Sequence, residues 1–311
     1  MEGKCILFKE FANVDAVPIL VNTKDVDEFV KTVKLISLSF GAINLEDISA
    51  PRCFEIEKRL IDELSIPVLH DDQHGTAIVL AAGLTNALKL VNKKFEEIKV
   101  VFSGAGAAGT AIALLLMKKG VKNLIICDTK GAIYEGRKEG MNPEKEQIAK
   151  ITNSQKIKGT IGDALTGAYV FIGVSGPKTV TTEMVKKMAN KAIVFAMANP
   201  TPEIMPDDAK AGGCYIYASG RSDFPNKVNN VLAFPGLFRG ALDAGVTKFT
   251  DEMKFAAIDA IAAMVPEPKI ECIIPDPFTP NLAFKVGEAV KKAALTSPLS
   301  IQPDLSKGFM F

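Results

Sequence analysis

The segment around residues 99–119 constrains this chain more than any other. An apolar run, Val100-Val101-Phe102, opens directly into Gly104-Ala105-Gly106-Ala107-Ala108-Gly109, and a helical pattern over residues 110–119 follows. The GxGxxG spacing alone is weak, but between a strand and a helix it is a dinucleotide fingerprint. Gly104 permits the tight turn, Gly106 lets the backbone approach a pyrophosphate, and Gly109 allows close helix packing. The helix start, with Ala107 and Ala108 in the turn, supplies N–H donors and a positive dipole end. The bland alternative is a glycine turn in an ordinary βα unit. Asp128 lies 24 residues past Gly104, near the ~20 expected of the acidic residue on the adenosine ribose hydroxyls. That favours NAD. Lys130 could instead attract the 2′-phosphate of NADP, and Asp128 could merely cap the turn into Thr129-Lys130-Gly131.

Apolar β-rich runs alternate with 3.6-period segments along the chain, the pattern of an α/β fold with a parallel sheet and crossover helices. Residues 17–21 read as a strand, and 25–40 as a helix with Thr23 or Asp25 as N-cap. Strand 42–45 ends in Glu46-Asp47, helix 52–64 turns Ile56, Leu60, Ile61 and Leu64 inward, and strand 66–69 ends in His70-Asp71-Asp72. A long helix over 75–93 leads to strands at 99–103, 123–127, 169–174, 193–198 and 215–218. Helices fit 142–150, 181–189, 251–265 and 281–296. We expect a smaller α/β domain for substrate and metal over 1–72, completed by 237–311, and a Rossmann-like, doubly wound NAD-binding domain over 73–236. The length, 311 residues, suits two domains at ~150 residues each.

Four carboxylates, Glu46, Asp47, Asp71 and Asp72, stand at the carboxyl ends of two strands, where open α/β sheets place their ligand crevices. Like charges so crowded raise one another's pKa or recruit a cation, and hard oxygen ligands suit Mg²⁺ or Mn²⁺. Neighbours on a strand face opposite ways, so Asp71 and Asp72 are expected to have different tasks. Each pair taken alone is also compatible with a solvated loop or helix cap. The only histidines, His70 and His74, lack the helix and the glutamate of a zinc-binding pair, and hydrogen bonding that orients the loop is the simpler role.

Composition narrows the function classes. With 48% apolar and 23% charged residues, the chain can build a sizeable core. Its 37 basic and 36 acidic residues leave +1 and form no basic stripe, which argues against nucleic acid. The longest contiguous apolar runs fall short of the ~20 residues of a membrane span, and the first residues do not open a signal peptide. A cytoplasmic chain without a membrane partner is expected. Five scattered cysteines without CxxC spacing read as reduced thiols.

Taken together, these residues resemble the malic enzymes, the decarboxylating malate oxidoreductases, in their compact bacterial form. The resemblance rests on Gly3-Lys4, Ile43 to Asp47, His70-Asp71-Asp72-Gln73-His74-Gly75-Thr76, Gly104 to Gly109, Ala198-Asn199-Pro200-Thr201, Asn229-Asn230 and Phe234-Pro235-Gly236, all in family order, and it covers essentially the whole chain. It implies that Glu46, Asp47 and Asp72 hold Mn²⁺ or Mg²⁺, and that Asp71 supports proton transfer beside the metal. It also implies that Lys4, with a depressed pKa, is the general base on the C2 hydroxyl of L-malate. Asn199 and Asn229 or Asn230 would lie against substrate and nicotinamide. By themselves those asparagines read as turn formers and Lys4 as a surface lysine. The implied reaction yields pyruvate and CO₂ with reduction of NAD(P), in a homodimer or higher assembly. The family's general acid is a tyrosine upstream of the lysine, and the chain starts three residues before Lys4. Tyr134, Tyr169, Tyr215 and Tyr217 do not match that motif. A truncated sequence is the expectation, and a catalytically impaired dinucleotide- and metal-binding remnant is the alternative.

Overall fold

The fold, taken from a computed structural model, is described for residues 1–297. It is α/β, and the chain divides into two compact units. The first comprises Met1–Ile78, Asn230–Ile261 and the chain from Pro277, and the second Val79–Asn229 and Ala262–Asp276.

In the first unit, helices Glu2–Ala12 and Val26–Ile36 precede strand β1 (Ile43–Leu45), and helix Arg52–Glu63 leads to strand β2 (Val68–His70). β1 and β2 pair in parallel, with Ile43 opposite Val68 and Leu45 opposite His70. Asp25 caps the second helix by accepting the Glu28 N–H at 2.8 Å, which satisfies one of the amides a helix start leaves unpaired. That helix buries Val30 and Val33 against Leu45, Ile56, Leu60 and Val68. Helices Phe234–Ala244 and Leu282–Thr296 touch along glycines. A Cβ on Gly236 would stand 2.5 Å from the Ala283 carbonyl, and one on Gly240 2.4 Å from that of Gly287, so any side chain there would force the helices apart.

Residues 17–21 are not a strand but irregular chain. Val17 and Leu20 are largely exposed, and the segment joins no sheet. β-branched residues favour strands only where a pleated, half-buried surface receives them; here none does. Helices Glu2–Ala12 and Phe234–Ala244 were not anticipated. The first is only weakly amphipathic, burying Phe8 and Ala12.

The second unit is built on a six-stranded sheet. Its strands are β3 (Lys99–Ser103), β4 (Asn123–Asp128), β5 (Gly131–Ala132), β6 (Val170–Gly173), β7 (Ala192–Ala196) and β8 (Cys214–Ser219), in the order β5-β4-β3-β6-β7-β8. All pairings are parallel except the short β4–β5 edge. The strand order reverses between β3 and β6, the switch point where a doubly wound sheet opens a crevice at its carboxyl ends. Val101, Phe171 and Val194, from three adjacent strands, are buried in one cluster.

Helix Asp71–Val91 follows β2 directly, so Asp71 and Asp72 occupy a first helical turn, about 100° apart, rather than opposite faces of a strand. By length and composition this helix could cross a membrane, but 67% of its apolar window is buried inside the protein. Contiguous apolar runs did not reveal it because Thr76, Thr85 and Asn86 interrupt them. It reads as a core helix.

Candidate active site

In the first unit, Lys4 reaches inward from helix Glu2–Ala12. Its Nζ lies 2.6 Å from Asp71 Oδ2 and 2.9 Å from Glu46 Oε1, with the buried Phe234 ring 4.2 Å away on its face. Asn230 Nδ2 donates to the same Asp71 oxygen at 2.5 Å, and Asn44 Nδ2 donates to Glu46 Oε1 at 2.7 Å. Asp72 Oδ2 accepts the backbone N–H of Asp47 at 2.9 Å, where Asp47 turns through a left-handed φ of 57°. Five of the residues expected at this site thus converge: Lys4, Glu46, Asp71, Asp72 and Asn230. Asp47 joins through its backbone.

The charge balance around Lys4 is uneven. Burial is the main cause that pushes the Asp71 carboxyl up to about 7, opposed by Lys4 and reinforced by Glu46 and Asp72. Burial also raises Glu46, against the pull of Lys4. The Lys4 ammonium is likewise raised: burial lowers it, but Asp71 and Glu46 outweigh burial. A depressed lysine was expected, and the correction has a direct cause in those two carboxylates at contact distance.

Asp71 Oδ1 is buried and accepts no hydrogen bond, and the ring nitrogens of buried His70 also make none, although Nε2 lies 3.8 Å from Asp72 Oδ2. A Cβ on Gly75 would lie 1.9 Å from that Asp71 oxygen, so only glycine lets the carboxylate fold back over its own helix start. An orphaned buried carboxylate oxygen among oxygen donors fits a hard divalent cation. Among the described residues, however, no three His, Cys, Asp or Glu side chains already stand in metal-ligating geometry.

Glu57 is a member of this site that sequence reasoning missed. Buried on helix Arg52–Glu63, it accepts the His70 N–H at 2.8 Å and the Gln73 side-chain amide at 3.3 Å. It also sits 3.0 Å from His74 Nε2, whose Nδ1 meets Lys254 Nζ at 3.1 Å. Because Lys254 can only donate, His74 presents its proton at Nε2, towards Glu57. Burial alone would raise the Glu57 carboxyl, but His74 and the His70 amide bring it below its ordinary value. The signal was present: a glutamate four residues after Cys53 and three before Leu60, on the apolar face.

In the second unit, the glycine turn follows β3. Gly104 has φ +119°, and a Cβ there would meet the Val174 carbonyl at 2.7 Å; a Cβ on Gly109 would fall 2.1 Å from the Gly104 carbonyl, whereas Gly106 faces open space. The helix begins at Ala107, three residues earlier than its pattern indicated. The amides of Ala107 and Ala108 therefore belong to the first turn, where helical N–H groups are free to bind an anion.

Asp128, at the end of β4, bonds Arg137 Nη1 at 2.8 Å, Lys145 Nζ at 2.7 Å and the Lys130 amide at 2.9 Å. Burial would raise its carboxyl, but Arg137 and Lys145 hold it down at about 2. Lys130 Nζ pairs with Glu139 at 2.7 Å instead. Asn199 lies exposed after β7, and Asn229 closes the unit's first segment. All four tyrosines are in this unit; the Tyr217 hydroxyl donates to the Ile204 carbonyl at 2.9 Å.

Residues 73–295 match the family described as malic enzyme, NAD-binding domain, and residues 1–61 match malic enzyme, N-terminal domain. The chain is 57% identical to the bifunctional malic/malolactic enzyme of Bacillus subtilis over 95% of its length and 72% of the relative's. It is 53% identical to the NAD-dependent malic enzyme of Geobacillus stearothermophilus over 99% of its length and 64% of the relative's. Further relatives, of which it spans 42%, are named NADP-dependent malic enzymes. The crystal structure of an NAD-dependent malic enzyme from Thermotoga maritima superposes with a TM-score of 0.91 at 48% identity, covering 93% of this chain and 77% of that one.

Proposed function

Because the chain belongs to the malic enzyme family, we propose that it carries out divalent-metal-dependent oxidation and decarboxylation of L-malate to pyruvate and CO₂, reducing NAD or NADP. The observation that carries this reading is the Lys4 ammonium held between Asp71 and Glu46 at 2.6 and 2.9 Å. It supports reading Lys4, once neutral, as a proton acceptor beside a carboxylate that can orient it and share its proton.

Lys4 takes the proton of the C2 hydroxyl. Asp71, fixed by Asn230 and backed by Gly75, aims Lys4 and balances its charge as the proton arrives. Glu46, Asp47 and Asp72 would hold Mn²⁺ or Mg²⁺, which when bound supplies a Lewis acid for the substrate oxygens and offsets the carboxylates. The free Asp71 oxygen and the all-oxygen donor set support a hard cation. Glu57 holds the turn that carries Asp71 and Asp72.

The second unit binds the hydride acceptor. Gly104, Gly106 and Gly109 shape the turn, the amides of Ala107 and Ala108 take the pyrophosphate, and Asp128 faces the ribose, with Asn199 on the nicotinamide side. Asp128 favours NAD. Arg137 and Lys145 are basic groups within reach of the same carboxylate, and they keep NADP open as a second substrate. Asn229 contributes to substrate binding beside Asn230. We also infer a cytoplasmic homo-oligomer acting on small molecules. The impaired-remnant alternative draws no support from the relatives, whose names are those of malic enzymes.

The test is the absorbance of reduced nicotinamide with L-malate and Mn²⁺, NAD and NADP being offered separately and pyruvate assayed in the same tubes. Metal-dependent reduction with matching pyruvate is expected, and chelation should stop turnover while leaving NADH binding intact. No reduction with either nucleotide would sink the reading.

A further inference from the structure

The second unit contains a fully buried carboxylate, Glu203, with no part in the chemistry above. It follows β7 by a short loop and folds back over the sheet end. Its Oε1 accepts the Ser175 N–H at 2.9 Å, and its Oε2 accepts the Ala198 N–H at 3.0 Å. Those amides belong to different loops: Ser175 follows β6 and Ala198 follows β7. A Cβ on Gly173 would fall 2.4 Å from the Glu203 carboxyl carbon, so the last residue of β6 must be glycine for the carboxylate to lie there.

Of the two loops, the one after β6 bears on the nucleotide turn. The Val174 carbonyl and the Ser175 Cβ are what a side chain on Gly104 would strike, at 2.7 and 3.2 Å. Ser175 Oγ stands 2.7 Å from Ser103 Oγ, on the residue before that glycine. Ala198 immediately precedes Asn199. Burying an ionised carboxylate against neutral amides is costly, and such a group is usually replaced by something cheaper unless both oxygens are needed. Only a carboxylate accepts hydrogen bonds at both ends; a glutamine in the same shape presents one acceptor and one donor.

We propose that Glu203 is a positioning residue of the dinucleotide site, tying loop 174–176 to loop 197–199 so that the floor under Gly104 and the backbone at Asn199 are set together. This rests on reading the turn as a dinucleotide site. Two explanations compete: a general structural staple would lower stability without singling out the nucleotide, whereas a positioning role weakens nucleotide binding and spares malate.

The test is Glu203→Gln in the full chain, titrated with NADH by the coenzyme's own fluorescence, which the absence of tryptophan leaves on a clean background. The expected result is a Kd for NADH raised about tenfold, since one loop amide loses its acceptor. KM for NAD should rise in step, while KM for malate stays within about twofold and the fold is retained. An unchanged Kd for NADH, or an equal rise in both KM values, overturns the proposal. If the variant does not fold, hydrogen exchange on the unaltered protein decides. NADH should slow exchange at 174–176 and 197–199 together; slowing at only one loop, or at neither, overturns it. Failure of the unaltered protein to bind NADH would instead remove the dinucleotide reading, and Glu203's role with it.

Discussion

Lys4 and Asp71, 67 residues apart in sequence, meet at 2.6 Å, and the same Asp71 oxygen accepts a second hydrogen bond from Asn230, 159 residues further on. Three distant segments therefore close one site. The aspartate opens the core helix Asp71–Val91, whose packing fixes its direction. The lysine comes from a helix anchored by Phe8, which packs edge-on against Phe234 and Phe238 with ring centroids 4.7 and 5.3 Å away.

Lys4→Met keeps the stem and removes the proton acceptor. Turnover of malate should fall by about 10²–10⁴-fold, the usual worth of a positioned acid–base group. NADH affinity should stay unchanged, because the glycine turn proposed to bind the nucleotide belongs to the other unit. Steady-state kinetics paired with NADH titration checks both; retained turnover would remove Lys4 from the chemistry.

Glu57→Ala should destabilise the protein by about 3 kcal/mol, because removing one partner of a buried charged network leaves the others unpaired. The groups stranded are the His70 amide, Gln73 and His74. Urea unfolding measures the loss, and a change below ~0.5 kcal/mol, typical of a surface site, would contradict the clamp.

Gly109→Ala puts a methyl group 2.1 Å from the Gly104 carbonyl. The turn and the helix start must separate, at a cost of about 1–3 kcal/mol, and the amides of Ala107 and Ala108 move with them. NADH binding should be lost while the malate-side groups of the first unit are untouched. Isothermal titration with NADH gives the answer, and full affinity would show that the close approach is dispensable.

The Asp128 ion pairs predict a pH dependence. Its carboxyl is lowered in the folded protein from 3.8 to about 2, so at acid pH the unfolded chain binds more protons at this group. The stabilisation is fully present above the unfolded value and is lost as pH falls through the folded one. Asp128→Asn should therefore be less stable than the parent at neutral pH, with the gap narrowing as pH falls from about 4 towards about 2. Unfolding midpoints across that range test it, and a gap independent of pH would contradict the pairing.

Much of the second unit was legible because its signals are local. The run of β3, the glycines and the helix behind them occupy consecutive residues, and each glycine answers a contact within that one turn or the neighbouring strand end. β-rich runs buried on both faces announce parallel strands. The packing role of Gly236 and Gly240 was not legible, since what they meet lies on helix Leu282–Thr296.

What the amino-acid sequence determined by itself was the α/β class, the glycine turn between β3 and its helix, and the two acidic pairs at the ends of short runs, because periodicity, glycine geometry and charge crowding act over a few residues. What only the tertiary structure decided was the partnership of those groups. It put Asp71 and Asp72 on a helix rather than a strand, left residues 17–21 without a sheet, and raised Lys4 by setting it between two carboxylates. It also buried Glu57 and Glu203 as holders of loops. Those outcomes depend on which side chains meet across dozens or hundreds of residues, and on how little water reaches them once they do, and local sequence encodes neither.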